Sequence, residues 1–189
     1  MALLRGLLRL LPAVGVSLIV SFQALSAADA PTENQVQAVF LFNFSRFVEW
    51  PTQTFAAPTD PFVIGILGSD PFGARLDEAV RNEQINGHPL TVRRFRSAAE
   101  VENCQILFID RSEIGRLGQI LTALDHRNTL TVSQADGAAQ RGVMIQFATE
   151  NSRIRLRINV EAARASGLII SSKLLRPADI VGSDAKEEK

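Results

Sequence analysis

Apolar residues recur at helical spacing between Thr32 and Val48. They then condense into short uninterrupted runs, and alternate with polar residues only between Val143 and Asn159. The first pattern predicts a helix from Thr32 to Val48. Val36, Val39, Phe40, Phe44 and Phe47 supply its periodic apolar positions, with Leu41 and Phe42 on the flank, so the helix should be mostly buried. Thr32 stands as N-cap with Gln35 three residues on, close to a capping box. Trp50-Pro51 ends the helix, because the residue before a proline is pushed out of the helical region.

A loop from Thr52 to Asp60 leads to Phe62–Leu67, an apolar run of the kind found in a central strand covered on both faces, and Ile106–Ile109 is a second such run. Leu90 to Phe95, Thr129 to Val132 and Leu168 to Ile170 read as further strands. Between them, Asp70 caps a helix that starts at Pro71 and runs to about Asn82, with Phe72, Leu76, Ala79 and Val80 inward. Asn86-Gly87 makes a tight turn. Ser97 caps a short helix to Val101, and Ser112 to Leu124 is a helix with Ile114, Leu117, Ile120, Leu121 and Leu124 on one side. Gln134 to Gly142 is a polar loop. Val160 to Ser166 and Ser171 to Leu175 are short helical pieces.

Val143 to Thr149 and Arg153 to Asn159 form a hairpin across Asn151-Ser152. A two-residue turn there sets Glu150 against Arg153, Ala148 against Arg155, and Gln146 against Arg157 on one face; Ile145, Phe147, Thr149, Ile154, Leu156 and Ile158 form the core face. Strands alternating with helices and a closing hairpin predict a single α/β domain. Its sheet is mixed but mostly parallel, with helices on both faces and a C-terminal β-hairpin.

The ends change the picture. Arg5 and Arg9, the apolar run Leu10 to Phe22, and the small residues Ser26-Ala27-Ala28 have the order of a secretory signal peptide cleaved near Ala28. The run is too short for a membrane span, which needs about 20 apolar residues. The chain is thus read as signal peptide 1–28, domain 29–182 and charged tail 183–189, with an exported mature protein. Without Arg5 and Arg9, 20 − 2 = 18 basic residues stand against 20 acidic ones, and that balance argues against nucleic-acid binding. The one cysteine, Cys104, cannot form a disulfide within the chain, and its place before Ile106–Ile109 reads as an inert buried thiol.

No catalytic or cofactor motif emerges. His88, in Asn86-Gly87-His88-Pro89, and His126 each read as solvated turn histidines without a metal-ligand partner at useful spacing. No nucleophile elbow, P-loop or dinucleotide fingerprint is present, and Ser172 beside Lys173 lacks the spacing for proton transfer on one helix face. Asn43-Phe44-Ser45 fits the glycosylation pattern but lies in the apolar helix. The reading is a non-enzyme without cofactor or metal. Two features could bind. Arg155 and Arg157, about 7 Å apart on one strand with no acid opposite, make a cationic fork for an anion or an acidic partner. Phe47 and Trp50, at the end of the first helix, are either a docking surface or core plugs.

Several ordered stretches together resemble the YfiR family of periplasmic regulators. They are Ala38 to Phe44 leading to Phe47-Val48-Glu49-Trp50-Pro51; Ile64 to Gly68 with Asp70-Pro71-Phe72; Cys104 to Asp110; Ile145 to Asn159; and Ile170-Ser171-Ser172-Lys173-Leu174-Leu175. The resemblance implies a periplasmic, non-enzymatic protein. It would bind the periplasmic sensor domain of an inner-membrane diguanylate cyclase and hold it inactive, lowering cyclic di-GMP and so acting on biofilm formation. It adds Lys173 to Arg155, Arg157, Phe47 and Trp50 as partner- or anion-binding candidates. An outer-membrane lipoprotein that sequesters the regulator and a second copy of the chain are further candidate partners. The alternative is a periplasmic sensor of a small anionic ligand, working with a transporter or histidine kinase. Family members often carry paired cysteines, so redox control through an internal disulfide does not transfer to this chain.

Overall fold

The structure is a computed structural model and describes residues 31–125 and 127–182. The expected signal peptide, His126 and the tail 183–189 lie outside the described residues. Among the described residues no helix is long and apolar enough to cross a membrane.

Helix α1 spans Glu33–Phe47, and its entry is built as the sequence requires: Thr32 Oγ1 accepts from the Gln35 amide, and Gln35 Oε1 accepts from the Thr32 amide. Thr32→Ala removes the first of these bonds and should cost about 1 kcal/mol, read as a lower urea midpoint at unchanged slope. The buried face differs from the expected one. Gln37, Ala38, Leu41, Phe44 and Ser45 point inward, whereas Val39 is 54% exposed. Two buried polar groups find partners along their own helix, Gln37 Nε2 donating to Glu33 and Ser45 Oγ to the Phe42 carbonyl, while Gln37 Oε1 is left without one. Phe44 is fixed by its stack on Phe147, with ring centres 5.9 Å apart.

The strands are β1 (Val48–Glu49), β2 (Phe62–Leu67), β3 (Gln84–Ile85), β4 (His88–Phe95), β5 (Ile106–Ile109), β6 (Leu130–Ser133), β7 (Ile145–Glu150), β8 (Arg153–Asn159), β9 (Ile169–Ile170) and β10 (Asp179–Val181). Eight of them form one sheet in the order β10-β8-β7-β6-β5-β2-β4-β3, while β1 and β9 pair antiparallel in a small second sheet. In the large sheet only β3–β4 and β7–β8 are antiparallel, so the mixed, mostly parallel single-domain fold holds. β2 and β5 are apolar on both faces because both faces are covered. Phe62, Ile64, Ile66, Ile106 and Phe108 meet the core that also holds α1 residues, and Val63, Leu67, Leu107 and Ile109 meet a second core. The helices α2 (Ala74–Val80), α4 (Val160–Ala165) and α5 (Ser172–Leu175) contribute to the first core, and α3 (Leu117–Ala123) to the second.

Four local expectations need correction. α2 begins at Ala74, not Pro71: the Asp70 carboxylate does accept the Phe72 and Gly73 amides, but Gly73 turns the chain at φ 54° before the helix can start. Ser112 to Leu124 is split, with 3₁₀ turns over Arg111–Arg116 entered through an Asp110 cap before α3. The loop 134–142 is polar in part only, since Ala135 and Ala138 join the second core and Ala139 is buried as well. Strand β10, which no sequence pattern announced, lies parallel to β8 and makes β8 an interior strand over Arg157–Asn159.

One clamp holds the carboxyl end of β2 to α2. Arg94 Nε donates to Asp70, its terminal nitrogens reach both oxygens of Asp77, and one also reaches the Gly73 carbonyl. Those hydrogen bonds hold the Asp77 carboxyl below its ordinary value, so the contact supports the fold above the usual carboxylate range and is lost as pH falls through Asp77's lowered one.

Candidate functional site

The end of α1 is anchored on both sides. Phe47 is half-buried against the first core and its carbonyl accepts the Ser171 amide at 2.8 Å. Val48 and Glu49 then pair with Ile170 and Ile169 as β1–β9. This pairing joins the Glu-Trp-Pro segment to the Ser-Ser-Lys-Leu-Leu segment, 120 residues apart in sequence terms but adjacent in the fold. Ser171 caps α5 by accepting the Lys173 amide, which leaves the Lys173 side chain exposed beside that junction.

Pro51 forbids further helix, and Trp50 turns inward. Its indole meets Phe62 edge-on at 4.9 Å, and Nε1 donates to the Gln105 carbonyl at 3.3 Å. Phe55 also packs on Phe62, with ring centres 6.2 Å apart, and stacks on His88 with ring centres 3.8 Å apart. His88 is therefore not a solvated turn histidine. Its Nδ1 lies 2.7 Å from the Asp60 carbonyl, and because a carbonyl can only accept, that nitrogen carries the hydrogen. Trp50, Phe55, Phe62 and His88 wall a cavity of about 540 Å³ whose rim carries Arg46 and Glu49. Arg46 lies over the Phe42 ring and pairs with Glu83 at 3.3 Å. Phe55 carries no signal in the sequence, and His88 reads there only as a turn histidine behind Asn86-Gly87, which aims it.

The arginine pair sits elsewhere. The hairpin register is as the sequence predicts, with Glu150 opposite Arg153, Ala148 opposite Arg155 and Gln146 opposite Arg157. Charge pairing is not. Glu150 reaches along the strand to Arg157 at 2.8 Å, since two long side chains can span positions that are not directly opposite, and Asp179 of β10 stands in register beside Arg157. Arg157 is thus not free of acid. Arg155 is exposed and makes no ion pair among the described residues. Gln146, on the same face, is fully buried, because the loop 134–142 covers it and the Ala139 amide donates to its side chain.

Four strand steps separate β8 from β2, about 19 Å at the usual spacing. The arginines also face away from the core that holds Phe62. The structure brings Phe47, Trp50 and the Lys173 segment together and leaves Arg155 and Arg157 apart from them.

Among the described residues no hydrogen bond pairs a nucleophile with a base in the aromatic cavity: Ser45 Oγ, which lines it, donates to the Phe42 carbonyl, and His88 Nδ1 is held by the Asp60 carbonyl. No group of three or more His, Cys, Asp or Glu among the described residues could hold a metal ion. Cys104 is buried between β2 and β5, donates to the Ile106 carbonyl, and has its thiol pushed up to about 12 by burial. What the cavity offers is recognition: a concave aromatic surface with one guanidinium and one carboxylate at its mouth.

No curated protein matches the chain significantly. A family model described as YfiR/HmsC-like matches residues 34–179, from the first turn of α1 to the start of β10. That span covers most of the chain and every element of the site just described, so the chain belongs to the YfiR/HmsC-like family, whose members are regulatory periplasmic proteins.

Proposed function

We propose that the protein is a periplasmic negative regulator that binds the periplasmic sensor domain of an inner-membrane diguanylate cyclase and holds it inactive. The observation that carries this reading is the family match over residues 34–179. The aromatic cavity beside Trp50 supports it, because interfaces concentrate their energy where an apolar anchor enters a walled pocket. In this reading Trp50 helps wall the pocket and Phe47 anchors the helix end beside it, while Lys173 and Arg155 meet acidic groups of the partner. The regulator acts by linkage: binding only the inactive form shifts the cyclase by its differential affinity, and a change from 1:99 to 99:1 needs about 5.5 kcal/mol.

Cellular cyclic di-GMP tests this. Deleting the gene should raise it, and the exported protein should restore it, whereas a version lacking residues 1–28 should not. In the same strain Arg155→Glu, which breaks no ion pair seen in the fold, should restore it less well. An unchanged level on deletion would remove the cyclase from the account.

A further inference from the structure

β4 is longer than its outer neighbour. It pairs with β2 from Leu90 to Phe95, but with β3 only at His88 and Pro89. The Leu90 amide points to the β3 side, where it donates to the Glu83 carbonyl at 3.0 Å. Strand residues alternate in the direction of their backbone groups, so Val92 and Arg94 point the same way. No described segment bonds to either of them on that side. At Arg96 the edge closes, its amide donating to the Glu100 carboxylate at 3.0 Å. Two residues thus present free amide and carbonyl groups in line with β3.

The charges around this edge decide what can fill it. Arg94 is held on one face by Asp70 and Asp77. On the other face Arg93 lies over the Phe95 ring at 5.0 Å, and neither Arg93 nor Arg96 makes a salt bridge among the described residues. A second copy would have to meet the edge antiparallel about a two-fold axis. If Val92 bonded to Arg94 of the copy, the two Arg93 side chains would face each other directly. If Arg94 met its own mate, two more guanidiniums would be opposed. A shift the other way would run the copy's strand into β3. Like charges directly opposite are destabilising, and charged residues are a common guard on open edges.

We propose that the outer edge of β4 is a docking edge for an extended acidic segment of a different protein, which adds a short strand in line with β3 and sets carboxylates against Arg93 and Arg96. Resting on the proposed function, that segment belongs to the cyclase's periplasmic domain. Main-chain bonds to Val92 and Arg94 would supply affinity, and the two arginines would select acid over base.

Two measurements test it separately. The first uses a short peptide alternating glutamate and valine at about 1 mM, with a lysine–valine peptide as control. The acidic peptide should slow hydrogen exchange of the Val92 and Arg94 amides by about threefold or more, the basic one should not, and Arg93→Glu/Arg96→Glu should reverse the preference. No slowing by either peptide, or equal slowing by both, overturns the docking edge. The second measurement restores the gene-deleted strain with the same double variant. Loss of repression by a variant that is exported and melts like the parent places the cyclase on this edge. Full repression shows that the cyclase binds elsewhere and overturns that assignment, while leaving the proposed function intact.

Discussion

Replacing Phe44 with alanine should lower the unfolding free energy by about 3–5 kcal/mol, the largest loss expected from any single truncation in α1. Phe44 is fully buried and joins two partners that belong to different parts of the fold, Phe40 on its own helix and Phe147 on β7. Truncation would leave a void that neither ring can fill without tilting out of contact with the other. Domains of this size have about 5–15 kcal/mol in hand, so the variant should be marginal. Urea unfolding followed by circular dichroism should show a sharply lower midpoint. Phe44→Leu should recover more than half of the loss, because it keeps most of the volume. A midpoint for Phe44→Ala within about 1 kcal/mol of the parent would mean that α1 is not packed on the sheet as described.

Gly65→Val should destabilise by about 3 kcal/mol through the opposite error, too many atoms in a full space. Gly65 lies in the middle of β2, where a glycine weakens a strand unless something needs the room. Here a Cβ would stand 2.7 Å from the Cys104 sulfur, 2.7 Å from the Phe95 ring and 3.0 Å from Leu107. All three neighbours are buried, and none is the loose end of a flexible chain. Gly65→Ala should cost less than valine but still more than a surface change. The double variant Gly65→Ala/Cys104→Ala should recover part of that cost, because removing the sulfur relieves one of the clashes, so the two changes will not be additive. Strict additivity in the unfolding free energies would argue against this contact.

The parts of the fold that the sequence displays are those fixed by local rules. The run Phe62–Leu67 coincides with β2 because a strand covered on both faces needs no alternation. The hairpin register follows from Asn151 and Ser152, both in the left-handed region at φ 50° and 60°, which fixes a two-residue turn and every pair behind it. What stayed hidden depends on remote partners. Asp179–Val181 is a strand only because β8 offers its edge there. Val48–Glu49 is too short to announce itself and forms by pairing with Ile169–Ile170, which lies within the run Leu168–Ile170 that does read as a strand. Val39 fits the helical stripe as well as Leu41 does, and only the position of the sheet decides between them. In the site, Trp50 was visible as a helix-ending aromatic, but its cavity also needs Phe55 from the following loop and His88 from the next hairpin. Alternation along β8 puts Arg155 and Arg157 on one face, as the sequence predicts. Their charge balance is not legible there, since it depends on the reach of Glu150 along the strand and on β10.

The solitary, sealed Cys104 turns the protein into its own stopwatch. A thiol that is 4% exposed and almost wholly protonated at neutral pH cannot meet a bulky labelling reagent until β2 and β5 part. With no other sulfhydryl to compete, the pace of labelling in native buffer reads how often the centre of the sheet opens, one molecule at a time, without denaturant or heat. A bound partner that steadies the sheet would slow that clock, and one that pries it apart would quicken it.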